Sequence, residues 1–306
     1  MSGGPSSPPT ARQAQLLALA GELRPELHRY CARLMGSVIE GEDVVQDTFA
    51  RAFVALDELE EAPPLRAWLF RIAHNRALDL LRSRAIRAAA PIEAAYEIAD
   101  PESPDPVEVL MRREAVETAV SRFVELPTTQ RSVVILKDVL DQSLEEIAAM
   151  LDLTVNAVKA HLARGRARLK AVNAQALAQP APHLPSPDVA RYVALFNRHD
   201  WDGLRAMLAD DVRLRQSSYP PRAGAADVGM FFGFYARFAP VRLAPAWLDG
   251  REVIAVYEEQ AVKPSYLMWL EWTAGRISFI HDYRYVRYVV DDAELVLAPD
   301  AKPAID

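Results

Sequence analysis

Apolar side chains recur at helical spacing over 14–35, 43–59, 65–82, 107–125, 129–139, 144–151 and 155–172. A face that repeats every three to four residues is the mark of an amphipathic helix, so the first 175 residues read as nearly all helical. The pattern breaks at PIEAAYEIADPESPDP (91–106), which is acidic, Pro-rich and without period. It reads as a linker between two helical units. AQPAPHLPSP (178–187) is a second linker. Beyond it two helices are expected at 188–199 and 201–209, with Asp200 as a cap. A short strand, DVRLRQ, comes next, then a helix around 224–237. Four longer strands follow near 240–248, 251–260, 265–274 and 276–288, with DGRE and AGR as turns. Helices followed by a meander imply an α+β domain, its curved antiparallel sheet wrapped on helices. The expected fold class is therefore multidomain: two all-α units, then one α+β unit.

Charge sharpens this picture. The 306 residues carry a formal net charge of −7 and a sequence pI of about 5.5. The charge is spread evenly, −4 over residues 1–180 and −3 over 181–306. No unit is basic overall, so any contact with nucleic acid must be local. A single cysteine, Cys31, excludes an intramolecular disulfide and a cysteine-based zinc site. His28, His74 and His161 lack metal-ligand spacing, so neither a metal nor another cofactor is expected. The opening MSGGPSSPPTARQ reads as a floppy polar tail and not as a signal peptide. No run of about 18 apolar residues occurs. The expectation is a cytoplasmic protein with no membrane partner.

Against this acidic background, VNAVKAHLARGRARLK (155–170) holds five Lys or Arg and no acid. It ends the stretch SLEEIAAMLDLTVNAVKAHLARGRARL. There Ser143 and Glu146 have capping-box spacing, Asp152-Leu153-Thr154 is a short turn, and Thr154 can cap the second helix. Val155, Val158, Leu162 and Leu169 would line the inner side of that helix. Asn156, Ala160, Ala163 and Arg164 would point outward, flanked by Lys159 and Arg168. This is helix-turn-helix geometry, in which an exposed helix enters the major groove and basic flanks hold phosphates. An αα-hairpin with a solvated basic face would share the pattern.

The charge reverses sharply in the first helical unit. Residues 40–61 hold eight acids and one Arg; residues 66–87 hold six Arg, one His and one acid. An acidic helix can dock on a basic protein surface, and the arginines after it can follow a phosphate backbone. Trp68, Phe70 and Asn75 are interleaved with them, which suits unstacked bases. Trp68, Phe70 and Ile72 also suit a plain core.

GEDVVQDTFARAFVALDEL followed by LRAWLFRIAHNRALDLLRSR resembles region 2 of an extracytoplasmic-function (ECF) sigma factor of the sigma-70 superfamily. LPTTQRSVVILKDVLDQSLEEIAAMLDLTVNAVKAHLARGRARLK resembles region 4. The resemblance covers about residues 12–172, with region 2 over 12–90 and region 4 over 107–175. It implies a transcription initiation factor whose partners are core RNA polymerase (β′ clamp and β flap) and promoter DNA, both duplex and melted. It also implies that Glu42, Asp43, Val45, Gln46, Asp47 and Phe49 sit in the helix that docks on the β′ clamp. Leu59, Trp68, Arg71, Asn75 and Arg76 then fall in the segment that opens and reads the downstream promoter element, Asn75 beside the pocket for a flipped base. Lys159, Ala160, His161, Ala163 and Arg164 match the helix that reads the upstream element. Two departures stand out. Leu59 occupies a place where an aromatic ring is frequent. Ala160 and Ala163 replace larger readers, which leaves direct readout to Arg164, Lys159 and Asn156.

Eighteen of the 25 aromatic residues follow residue 187. VARYVALFNRHDWDGLRAMLADDVRL and the later RISFIHDYRYV resemble the opening and closing of SnoaL-like domains over about 188–290. The resemblance implies an α+β cone. Tyr219, Phe231, Tyr235, Trp247, Tyr257, Trp269 and Trp272 are its candidate ligand pocket, although an aromatic stripe is also ordinary core. His281 and Asp282 are neighbours in a strand and so point to opposite faces, which argues against an acid–base pair. No enzymatic activity is expected, and a regulatory role for the third domain fits its fusion to a promoter-recognition module. A helix-turn-helix regulator with a ligand-binding domain, and a cyclase- or isomerase-like enzyme with a DNA-binding appendage, are the alternatives.

Overall fold

The computed structural model describes residues 10–56, 58–59, 63–89, 120–174, 184–217, 219–237, 241–259, 261–291 and 293–299. They fall into two compact units, the first holding the described residues up to 174 and the second those from 184 onward. The linker 91–106, most of the helix expected over 107–125, and residues 178–183 of the second linker lie outside the described residues.

The first unit opens with helix α1 (Ala11–Met35), started by a Thr10–Gln13 capping box and stopped at Gly36, whose φ is 74°. Helix α2 (Val38–Ala55) begins at once, capped by the Ser37 hydroxyl. The two helices cross closely. A Cβ built on Gly41 would lie 2.5 Å from the Ala32 backbone nitrogen, so only glycine fits this crossing. Helix α3 (Leu65–Ala89) is the basic one. After it come a 3₁₀ turn (Ser121–Glu125) and helix α4 (Thr128–Val134), which runs on as a π-helical turn (Ile135–Val139). Helices α5 (Leu144–Leu151) and α6 (Val155–Asn173) complete the unit.

The two all-α units expected from the pattern are joined here. One apolar core runs from Leu16, Leu27 and Phe70 through Val134 and Ile147 to Leu162. Buried polar contacts tie the halves together. Arg131 of α4 donates to the carbonyl of Leu34 at 2.6 Å and to those of Val124 and Leu126. His74 of α3 lies 2.8 Å from the Tyr30 hydroxyl and 3.4 Å from that of Ser132. Burial, reinforced by Arg82, holds the His74 imidazole down at about 4, so the ring is neutral where it meets Tyr30.

The second unit places helices α7 (Pro187–Asn197), α8 (Trp201–Arg205) and α9 (Ala225–Tyr235) with a seven-stranded sheet. The strands are β1 (Leu208–Gln216), β2 (Arg222–Ala223), β3 (Val241–Leu248), β4 (Arg251–Glu258), β5 (Tyr266–Thr273), β6 (Arg276–Asp282) and β7 (Val296–Leu297), in the order β2-β1-β6-β5-β4-β3-β7. Tyr192 and Phe196 of α7 and Phe232 and Tyr235 of α9 pack on Leu243, Val256, Tyr266, Met268 and Ile280 of the sheet.

Three expectations need correction. The sheet is mixed, because β1 runs parallel to β6. Tight turns at Asp249-Gly250 and Ala274-Gly275, all at positive φ, force antiparallel neighbours from β3 to β4 and from β5 to β6. No turn dictates the direction of β1, which joins β6 from far away in sequence. The helix expected to 209 ends at Arg205, since Leu208 already pairs with Ile277. The strand expected to 288 ends at Asp282, whose carboxylate accepts from the Arg284 amide at 3.1 Å and turns the chain. A 3₁₀ turn (Arg287–Val290) follows.

Candidate polymerase and nucleic-acid interfaces

Helices α5 and α6 form the helix-turn-helix. Ser143 and Glu146 make the capping box, the Glu146 carboxylate accepting from the Ser143 amide at 2.8 Å. Asp152 takes the left-handed turn (φ 55°), and the Thr154 hydroxyl accepts from the Ala157 amide at 3.2 Å. Val158, Leu162 and Gly165 face inward, Gly165 so close to α4 that a Cβ would meet Val134 at 2.6 Å. Asn156, Lys159, Ala160, Ala163, Arg164 and Arg168 are exposed, and His161 is half-buried. Arg166 is committed elsewhere, bonded through both Nε and Nη2 to the Asp138 carboxylate. Arg164 leans on His161, its guanidinium 3.4 Å from Nδ1. The outward face of α6 therefore carries Lys159, Arg164, Arg168 and Lys170 among its exposed cations, with Asn156 at the N-terminal end.

The acidic helix divides differently from its sequence pattern. Glu42 is fully buried beside Arg24, and Val45 and Phe49 belong to the core. Asp43, Gln46 and Asp47 are half-buried at the surface. Three of the six residues assigned to docking thus hold the helix in place, and the other three, with Glu40, present polar groups outward. The cause is periodicity: residues 42, 45 and 49 repeat at helical spacing and share one face.

On α3, Phe70 is buried, while Trp68 and Ile72 are half-buried and pack against the core. Leu59, before the helix, also packs there, and its carbonyl accepts from Arg12. Arg71 and Asn75 are exposed, and Arg76 is half-buried. Arg71 donates to the Ala149 carbonyl at the end of α5, at 2.8 Å.

In the second unit the seven aromatic residues of the candidate pocket do not share one space. Phe231, Tyr235 and Trp272 belong with the apolar interior. Tyr219 is exposed and packs at a tilt against Tyr285. Tyr257 and Trp269 alternate with Val256 and Met268 and so take the other sheet face, each beneath an arginine, Arg242 and Arg251. Trp247 pairs with Glu252 near the end of β3.

The interior holds a polar cluster that sequence reasoning missed. Asp282 is fully buried, with Gln216 donating to it at 2.7 Å. The Tyr235 hydroxyl lies 3.5 Å from the same carboxylate and 2.8 Å from that of Tyr266. Burial pushes the Asp282 carboxyl up to about 6 and raises both phenols. His281 points to the opposite face, where Arg215 lies 3.2 Å from its Nδ1. Its imidazole is pushed down by burial and by that arginine. Register carried the missing signal: Met268 pairs with Asp282, so Tyr266 two residues earlier shares its face. Among the described residues no group of three His, Cys, Asp or Glu is placed to hold a metal ion. Among them, too, no helix is long and apolar enough to cross a membrane.

Family models for Sigma-70 region 2, Sigma-70 region 4 and a SnoaL-like domain match residues 19–86, 117–169 and 189–287. The ECF RNA polymerase sigma factor SigG of Mycobacterium tuberculosis is 28% identical, the match covering 89% of this chain and 82% of SigG. The RNA polymerase sigma factor CnrH of Cupriavidus metallidurans is 38% identical over 43% of this chain and 72% of CnrH. A solved structure of the Mycobacterium tuberculosis ECF sigma factor SigJ matches 91% of this chain and 99% of its own length, at 21% identity and a TM-score of 0.34. With a helix-turn-helix built on α5 and α6, and with that identity to CnrH, this chain belongs to the ECF RNA polymerase sigma factors and carries a SnoaL-like domain at its C-terminal end.

Proposed function

We propose how this sigma factor divides its labour. The surface edge of α2, with Asp43, Gln46 and Asp47, docks on core RNA polymerase at the β′ clamp. Helix α3 follows the downstream promoter element with Arg71, Asn75 and Arg76. Helix α6 reads the upstream element with Asn156, Lys159, Arg164 and Arg168. The observation that carries this reading is the exposed face of α6, which gathers cations in a chain of net charge −7. The deciding experiment is promoter-specific transcription with core polymerase. Charge reversal at Asp43 and Asp47 should abolish association with the polymerase while the fold persists. Normal holoenzyme assembly by that double variant would overturn the docking role.

We further propose that the SnoaL-like domain regulates and does not catalyse. The engagement of the Asp282 carboxylate by Gln216, by the Arg284 amide and by the Tyr235 hydroxyl supports this. A screen of the whole protein for isomerase or hydrolase turnover should give none, and turnover that depends on Asp282 would overturn the reading.

A further inference from the structure

The arginines of α3 have something in common beyond their number. Each one whose side chain is described is engaged by the chain itself. Arg66 pairs with Glu26 at 2.5 Å, Arg76 with Asp47 at 2.7 Å, Arg82 with Asp79 at 3.2 Å, and Arg84 with Glu40. Arg71 donates to the Ala149 carbonyl. Two of these pairs join α3 to the acidic helix α2, and they keep one register: Glu40 meets Arg84 and Asp47 meets Arg76, as antiparallel neighbours require. By helical rise the two arginines stand about 12 Å apart. In each pair a carboxylate oxygen meets a guanidinium nitrogen, a group that also binds phosphate oxygens.

We propose that α2 acts as an internal phosphate mimic, its Glu40 and Asp47 holding Arg84 and Arg76 off DNA until another cation engages those carboxylates. The inference rests on the reading above in which α3 follows DNA and the α2 edge meets the polymerase. Both partners then compete for one set of ion pairs. A polymerase cation at Asp47 releases Arg76, so docking and DNA binding are coupled in that order. The pairs are partly exposed, with Asp47 at 45% and Arg76 at 27%. They are weak enough to exchange and numerous enough to matter.

The test uses the full-length chain without polymerase and a short fluorescent DNA duplex of arbitrary sequence, titrated over a range of salt. Asp47→Asn and Glu40→Gln should each tighten binding about two- to fivefold at low salt. Each should steepen the salt dependence by about one released counterion. The gain from Asp47→Asn must vanish in an Arg76→Gln background, and that from Glu40→Gln in an Arg84→Gln background. Unchanged affinity would overturn the proposal. So would a gain that survives removal of the partner arginine, since only net charge would then be at work. If Asp47→Asn fails to fold by circular dichroism, the Glu40 and Arg84 cycle decides alone. Arg76→Gln in promoter-specific transcription tests the underlying reading separately. Full activity there would mean that α3 does not follow DNA, whatever the free chain does.

Discussion

Arg164 and Asp282 show what a single residue can be asked. Arg164 stands outward on α6, steadied by His161. Arg164→Ala should cost about 1–3 kcal/mol and relax specificity at one upstream position. Binding measured on a panel of point-substituted promoters checks this, and uniform weakening on all of them would reduce Arg164 to a phosphate contact. Asp282 makes a prediction about pH. Its folded-state value of about 6 lies above that of an unfolded aspartate, so between about pH 4 and pH 6 the folded state binds more protons. Stability is therefore fully present below about pH 4 and falls as pH rises through about 6, by roughly 3 kcal/mol in all. Asp282→Asn should flatten that slope in thermal melts of the second unit's transition. Legibility at this scale was uneven. The outward residues of α6 could be read because helical period assigns faces directly. Helical period also puts Glu42 on the inner face, but its partner Arg24, 18 positions away, could not be read. Tyr235 and Tyr266 could not be set beside Asp282, because one lies on α9 and the other two strands' pairing had to be known first.

Elements were more legible than their partners. The turns and caps of α5 and α6 follow from Ser143, Glu146 and Thr154 as written, since capping is local chemistry. The β3–β4 and β5–β6 hairpins follow from the DGRE and AGR turns between them. The parallel partner of β1 was hidden, because neither strand carries a mark of the other's direction. The start of β1 was hidden too, since LRAMLADD suits a helix as well as a strand until Ile277 is beside it. A prediction at this scale concerns the crossing of α1 and α2. Gly41→Ala would drive a methyl group into the Ala32 backbone, where no flexible side chain can yield. It should destabilise the first unit by about 1–3 kcal/mol in denaturant melts. A neutral result would mean that the helices can part at no cost.

At the scale of the whole molecule the sequence pattern announced helical segments on both sides of 91–106, but not that α1 and α3 would share a core with α4, α5 and α6. Amphipathic stripes say that a face is covered and are silent on what covers it. The regulatory role proposed for the SnoaL-like domain belongs here. Only nine residues, 175–183, separate the two described units, and so short a tether raises the effective concentration of one for the other. Truncations after Ala174 and after Pro187 should change promoter-specific transcription or promoter affinity relative to the full-length chain. If both match it, the domain is a passenger.

The parallel pairing of β1 with β6 also sets a timetable. Strand β1 ends at Gln216 and meets the short β2 at once, yet its parallel neighbour β6 is not made until Asp282 has been added. The SnoaL-like domain therefore cannot close its sheet while the ribosome is still inside it, whereas the helices before residue 174 need nothing downstream to complete their shared core. At about 5–20 residues per second, synthesis from residue 174 to 282 takes roughly 5–20 seconds. For that interval the sigma unit has all of its core residues while the SnoaL-like domain still lacks a strand of its sheet. Fast, local helical contacts precede slow, distant strand pairing, so the delay outlasts synthesis itself. Where polymerase is close to the site of translation, new protein would meet it before the SnoaL-like domain is complete.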